Sequence, residues 1–201
     1  MSNDHTDVKQ HILDTGRNII LGKGFSAVGL NEILSTAQVP KGSFYHYFKS
    51  KEAFGEALVD GYVANYLAQV DRLLQDDGAP AAERLMRYWR SWMSPAGSQS
   101  ADCNCLVVKL SGEVSDMSEA MREALLRGTD LIIERLGGCI AAGLADGSLT
   151  GILDAQHTAL TLYELWLGAA LLTKVRRERS ALDAAMAATC NLLKLPLPAT
   201  A

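Results

Sequence analysis

Between Lys41 and Lys51 the sequence Lys-Gly-Ser-Phe-Tyr-His-Tyr-Phe-Lys-Ser-Lys crowds three ammonium groups, two phenols, an imidazole and two hydroxyls into eleven residues. Binding to phosphate needs such donors on a rigid frame, and helix-terminal N–H groups add to the set. Phe44 and Phe48, four apart, share one helical face and suit a small core. Tyr45, His46 and Tyr47 are consecutive, so they cannot all face inward on a helix. At least part of this run of polar rings therefore remains for an outside partner. Gly42 lets a foreign backbone approach closely. Lys41 and Ser43 can reach base edges or phosphates.

Two short helices must hold this run. One covers about Gly29–Ala37 and turns Leu30, Ile33 and Leu34 to a core. The other starts at Pro40, a residue suited to a first helical position. Joined by a tight connection, they make a helix-turn-helix whose second helix can enter the major groove. A preceding helix, Thr6–Leu21, carries Val8, Ile12, Thr15, Ile19 and Ile20 on one stripe and is stopped by Gly22-Lys23-Gly24. A longer helix follows from Ser50, with Phe54, Leu58, Tyr62 and Leu67 along its inner face.

Strand signals are nearly absent further on, and helical periodicity recurs. Residues 75–80 form a loop, and a helix with Leu85, Met86, Tyr88, Trp89 and Trp92 follows. After a second loop at 94–100, helices are expected at 105–114, 118–145, 152–177 and 180–194. Pro196 and Pro198 bar any continuation. The expectation is an all-α chain of nine helices, with residues 1–50 as a DNA-binding domain and 51–201 as a sensing and dimerising domain.

Gly24-Phe25, Ile33, Ala37-Gln38-Val39, Lys41-Gly42-Ser43-Phe44-Tyr45, Tyr47-Phe48 and Ser50-Lys51-Glu52 together resemble the N-terminal signature of the TetR family of transcriptional regulators. The resemblance spans roughly residues 8–55. It implies a homodimer of helical protomers that reads an inverted-repeat operator in double-stranded DNA. Carried over position by position, the DNA contacts fall on Lys41, Gly42, Ser43, Tyr45, His46, Tyr47 and Lys51. Val28 and Gly29 offer backbone donors to phosphate. His46 stands where the family often has Tyr, which puts that one contact in doubt.

Bulk composition fits a regulator. The net charge of -4 argues against nucleic acid only if the chain is taken as one body. Residues 1–52 hold six Lys/Arg against five Asp/Glu, or +1, so the remainder carries -5. No run reaches the roughly 18 apolar residues of a membrane span, and the N-terminus lacks an apolar signal core, so a cytoplasmic protein is expected. Four cysteines, Cys103, Cys105, Cys139 and Cys190, point to free thiols in a reducing compartment. Cys103 and Cys105 have no second ligand pair nearby, so neither zinc nor any cofactor is expected.

The stretch Cys105–Glu119, with Leu162-Tyr163, Leu165–Ala169 and Lys174, resembles the TetR subgroup typified by the N-ethylmaleimide-reductase repressor. That resemblance implies release from DNA when a cysteine is modified by an electrophile or oxidant. The residues allow it. Asn104 suits an N-cap, which places Cys105 in the first helical turn, where the macrodipole and Lys109 favour thiolate. Asp102 opposes them. Cys103 could act as a resolving thiol, although such closely spaced cysteines form strained disulfides.

From residues alone, Cys105 could equally be an inert buried thiol. Lys174 could be a solvated helix end beside Arg176, Arg177 and Arg179, or a cation reaching toward Cys105. Trp89, Trp92, Tyr163 and Trp166 could line an apolar pocket for a reversible inducer, or be plain core. Cys139 and Cys190 suit packing. The Ala-, Leu- and Gly-rich last two long helices would form the two-fold interface. A thiol enzyme fits least, because no Cys–His partnership lies near Cys105 and the helix-turn-helix would be left unexplained.

Overall fold

The computed structural model describes residues 3–93, 107–108 and 110–196. Every regular element among them is helical: α1 (Asn3–Lys23), α2 (Leu30–Ala37), α3 (Lys41–Tyr47), α4 (Lys51–Leu74), α5 (Ala81–Met93), α6 (110–114), α7 (Glu119–Ala145), α8 (Ala155–Arg176) and α9 (Ser180–Leu193). None is long and apolar enough to cross a membrane. The described residues fold as two compact units. One holds those up to Ala64 together with 110–128, and the other holds the rest.

In the first unit, α1 buries Ile12, Gly16 and Ile20, one helical repeat apart. The ring of Phe54 from α4 lies where a Cβ on Gly16 would be. Phe44, Phe48 and Phe54 pack with centroids 5.1–5.7 Å apart, a set of contacts worth about 0.5–1.5 kcal/mol per pair beyond burial. α1 ends where Gly24 adopts φ +91°, a left-handed conformation that glycine reaches without strain. α2 ends on Gln38 at φ 55°, whose N–H returns to Ser35. Pro40 does not open α3 as its first residue. It is the N-cap, extended at φ -68° and ψ 151°, and its carbonyl accepts the N–H of Ser43 at 2.9 Å.

α4 turns Phe54, Leu58, Tyr62, Tyr66 and Val70 inward, whereas Leu67 is only half-buried. From Leu58 onward the buried stripe keeps a spacing of four, which favours Tyr66 over Leu67. In the second unit, Asp146 and Ser148 cap α5. Asp146 accepts the N–H of Ala81 at 2.8 Å, and Ser148 Oγ accepts that of Ala82 at 3.1 Å. α8 starts at Ala155, three residues later than the periodicity suggests, because Asp154 is its N-cap and accepts the N–H of His157 at 2.9 Å. α8 and α9 are joined through the core: Trp166 Nε1 donates to Thr189 Oγ1 at 2.9 Å, and Thr189 donates to the Ala185 carbonyl.

Candidate nucleic-acid interface

α3 separates the two classes of ring expected from the sequence. Phe44 is wholly buried, and Phe48 just beyond the helix is 2% exposed. Lys41, Gly42, Tyr45 and His46 are exposed, and Ser43 and Tyr47 are half-buried. Tyr45, 49% exposed, is braced from below by an edge-on contact with Phe44 at 5.6 Å. The ammonium of Lys41 lies 5.8 Å from its centroid. His46 and Tyr47 meet edge-on at 4.8 Å. The polar rings thus stand on a rigid aromatic floor rather than on a mobile loop. A Cβ built on Gly42 would meet nothing within 4 Å, so no packing inside the protein requires glycine there. The open space suits a close approach from outside.

The start of α2 lies in the same unit. Its N-cap, Gly29, supplies no side-chain hydrogen bond, which leaves the N–H groups of Leu30 and Asn31 at the positive dipole end for an anion, while that of Glu32 already reaches the Gly29 carbonyl at 3.1 Å. Val28 is wholly buried, and its N–H already reaches the Phe25 carbonyl at 3.4 Å. His11 of α1 hydrogen-bonds the Ala37 carbonyl at 2.9 Å and fixes α2 against α1. Lys51 is already engaged. It donates to the Phe25 carbonyl at 2.8 Å and lies 4.5 Å from the Phe25 ring centroid.

Residues 12–58 match the model for bacterial regulatory proteins of the tetR family, and residues 81–189 match that for the tetracyclin repressor-like C-terminal domain. The chain belongs to the TetR family.

Among individual relatives, it is 39% identical over 196 residues to the HTH-type transcriptional repressor NemR of Escherichia coli K12, covering 96% of this chain and 98% of the relative. It is 33% identical over 178 residues to the HTH-type transcriptional repressor DhaR of Mycobacterium sp. strain GP1, covering 89% and 88%. The crystal structure of the reduced form of E. coli NemR superposes with a TM-score of 0.87, covering 96% of this chain and all of that one, at 40% identity. The chain is thus a helix-turn-helix transcriptional regulator of TetR type, similar to NemR. Both named relatives are transcriptional repressors.

In the TetR-type C-terminal part, Trp89, Trp92, Tyr163 and Trp166 come together. Trp89 stacks on Trp166 with centroids 5.2 Å apart and planes 17° from parallel. Trp92 meets Trp166 at 5.7 Å and Tyr163 at 6.4 Å, both edge-on. All four are buried, and the indole N–H of Trp89 has no hydrogen-bond partner among the described residues. Burial pushes the Tyr163 phenol far above its ordinary pKa. A groove of about 730 Å³ elsewhere is lined by the turns at 76–80 and 145–148 and by Arg84, with none of these rings in it.

Lys174 is exposed in the last turn of α8. Cys103, Asn104, Cys105 and Lys109 lie outside the described residues. Cys139 and Cys190 are buried, as their apolar surroundings suggest.

Two residues of the DNA-reading unit escape sequence reasoning. Lys9 lies 5.8 Å over the Phe48 ring. Glu113 accepts the N–H of Phe25 and of Ser26. The partners of Glu113 are 87 and 88 residues away in the chain, and no local pattern marks such a contact.

Proposed function

We propose that the chain is a dimeric, cytoplasmic repressor that binds an inverted-repeat operator and leaves it when Cys105 is modified by an electrophile or oxidant. The observation that carries the DNA-binding half is α3, where Lys41, Tyr45 and His46 face outward on an immobile aromatic base. Lys41, Ser43, Tyr45, His46 and Tyr47 would meet bases and phosphates, with Gly42 allowing close approach. Val28, Gly29 and Lys51 would meet phosphate. On this reading residues 1–50 bind DNA and 51–201 sense and dimerise.

Dimerisation is supported by one face of α8. Leu160, Leu171, Leu172 and Val175 are 38–71% exposed, and Gly168 on the same face has nothing within 4 Å of a built Cβ. Such a stripe, with exposed Leu192 on α9, suits a second copy. Two recognition helices would then lie about one duplex turn (~34 Å), or a multiple, apart.

The sensing half is supported by the likeness to NemR, whose structure is that of a reduced form, and by the sequence pattern in which Asn104 suits an N-cap just before Cys105. Lys174 would stabilise its thiolate or trap the oxidised sulfur. Moving the protein fully from DNA-competent to incompetent takes about 5.5 kcal/mol of differential stabilisation, which a covalent adduct can supply. The adduct would shift α4 and change the spacing of the recognition helices.

The test begins with duplexes selected by the protein from a random pool. Wild type, Cys103→Ser and Cys105→Ser are then treated with a quinone and assayed for release. Release by wild type and retention by Cys105→Ser supports the reading; equal release removes Cys105 from it. A second reading, reversible binding of an apolar aromatic inducer, is favoured by the buried indole N–H of Trp89, which has no partner among the described residues. It predicts release without covalent adduct and loss of response in Trp89→Phe.

A further inference from the structure

The turn between α1 and α2 is built around a carboxylate from a distant part of the chain. Glu113 of α6 accepts the Phe25 N–H at 3.1 Å through Oε2 and the Ser26 N–H at 2.5 Å through Oε1. Hydrogen bonds to an ionised carboxylate are the strong ones, and a two-point grip fixes direction as well as distance. Gly24 makes room for it on two counts. Its φ of +91° disfavours a side chain, and a Cβ there would lie 2.9 Å from Glu113 Oε2.

The far side of the same residue is held as well. The Phe25 carbonyl accepts the Lys51 ammonium at 2.8 Å. The Phe25 carbonyl and the Ser26 N–H belong to one peptide group, which is thus gripped at its oxygen by a cation and at its N–H by an anion, an arrangement in which each bond polarises the other. The Ser26 hydroxyl donates to Met117 Sδ at 3.1 Å, a second tie to the segment after α6. The chain reaches Val28 and Gly29, the start of α2, two to three residues later.

We propose that Glu113 is a positioning residue for DNA binding: its carboxylate holds the 24–26 turn, and through it Lys51 and the uncapped start of α2, in the arrangement that reads the operator. Glu113 itself touches no DNA. A displacement of α6 away from the turn by about an ångström would take the 3.1 Å bond beyond useful length and the 2.5 Å bond to its edge. The inference rests on the operator-binding reading above but not on Cys105 being the sensor.

The test uses the full-length protein and a duplex selected by wild type from a random pool. Glu113→Gln keeps the shape, loses the charge and offers one acceptor where two are needed. Its affinity for the duplex should fall about tenfold or more, with a shallower salt dependence, because the contacts that the turn positions, Lys51 and the start of α2, are those to phosphate. Glu113→Asp keeps the charge with a shorter reach and should fall between Gln and wild type. Amide exchange at Phe25 and Ser26, measured residue by residue without DNA, should be slow in wild type and fast in Glu113→Gln. A purely structural role would lower the melting temperature of Glu113→Gln without selective exposure of these two amides.

Affinity of Glu113→Gln within twofold of wild type overturns the inference, and so does unchanged exchange at Phe25 and Ser26. If Glu113→Gln does not fold, the wild-type amides decide: exchange at Phe25 and Ser26 as fast as in an unstructured peptide overturns it. If wild type selects no duplex, the operator reading fails, and the exchange measurement still decides whether the clamp exists.

Discussion

Lys51 meets Phe25 twice, at the carbonyl oxygen at 2.8 Å and over the ring at 4.5 Å from its centroid. The residue expected to meet phosphate is therefore also a strut of the α1–α2 turn. The two roles separate by salt. If Lys51 neutralises a phosphate on DNA, Lys51→Ala weakens binding to all sequences alike and reduces the slope of log affinity against log salt by about 1. A strut alone lowers affinity with the slope intact. An unchanged slope in Lys51→Ala removes the phosphate contact.

Base reading rests on different residues of the same unit. Lys41→Ala and Ser43→Ala should lower operator affinity and also relax preference among operator variants, by about 1–3 kcal/mol at the affected base pair. Binding measured against a panel of single-base-pair variants checks this. If Lys41→Ala and Tyr45→Phe both bind the operator as wild type does, α3 is not docked as argued.

How much of this was legible in the sequence depends on range. The α3 segment could be read because its information is local: Phe44 and Phe48 are four apart and go inside, and the rings between them cannot follow. The helix-turn-helix motif likewise sits within a single stretch. The late start of α8 depends on the Asp154 cap, which competes with apolar Ile152 and Leu153 that periodicity counts as helix. The replacement of Leu67 by Tyr66 on the inner face depends on what α4 packs against, including the Tyr88 hydroxyl, 2.9 Å from that of Tyr66. Glu113 was invisible because both of its turn partners are far away in the chain. The aromatic set of Trp89, Trp92, Tyr163 and Trp166 was legible as a group, but the stacking of Trp89 on Trp166 was not.

The stability of the second unit offers a test at one atom pair. Trp166 and Thr189 are both wholly buried, and the indole N–H donates to the hydroxyl at 2.9 Å. Thr189→Val keeps the volume and removes the acceptor, leaving a buried donor unsatisfied. That should cost about 1–3 kcal/mol in chemical denaturation. A loss below about 0.5 kcal/mol would mean that the indole finds another partner.

Asp146 supplies a pH dependence. Its carboxyl is held below the ordinary aspartate value, first by the Ser148 hydroxyl and then by the N–H groups of Ala81 and Ser148. A depressed folded-state pKa contributes stability that is present above the unfolded value of about 3.9 and lost as pH falls toward the folded one. The melting temperature of Asp146→Ala should therefore lie below wild type by a constant amount above about pH 5, and the gap should narrow as pH falls below about 4. A gap independent of pH through that window would show that the α5 cap does not depend on charge.

The four cysteines should differ sharply in reactivity. Burial raises the Cys139 thiol above its ordinary pKa, and does the same for Cys190. Cys139 also spends its S–H on the Ala81 carbonyl, 3.5 Å away. Attack on an electrophile requires thiolate, so both should be inert in the folded protein near neutral pH. If Cys105 opens a helix with Lys109 one turn on, as the sequence suggests, it should ionise below the free-cysteine value of about 8.5. Limiting iodoacetamide at pH 7 followed by peptide mapping should therefore label the 103–105 segment well before Cys139 or Cys190. The rate of labelling at Cys105 should rise with pH to a plateau whose midpoint lies below about 8.5. Lys109→Met should move that midpoint upward while leaving Cys139 and Cys190 unlabelled. Labelling of Cys139 at a rate comparable to Cys105 would contradict the burial argument. A midpoint at or above 8.5 would make Cys105 an ordinary thiol and return the release mechanism to the reversible-inducer reading.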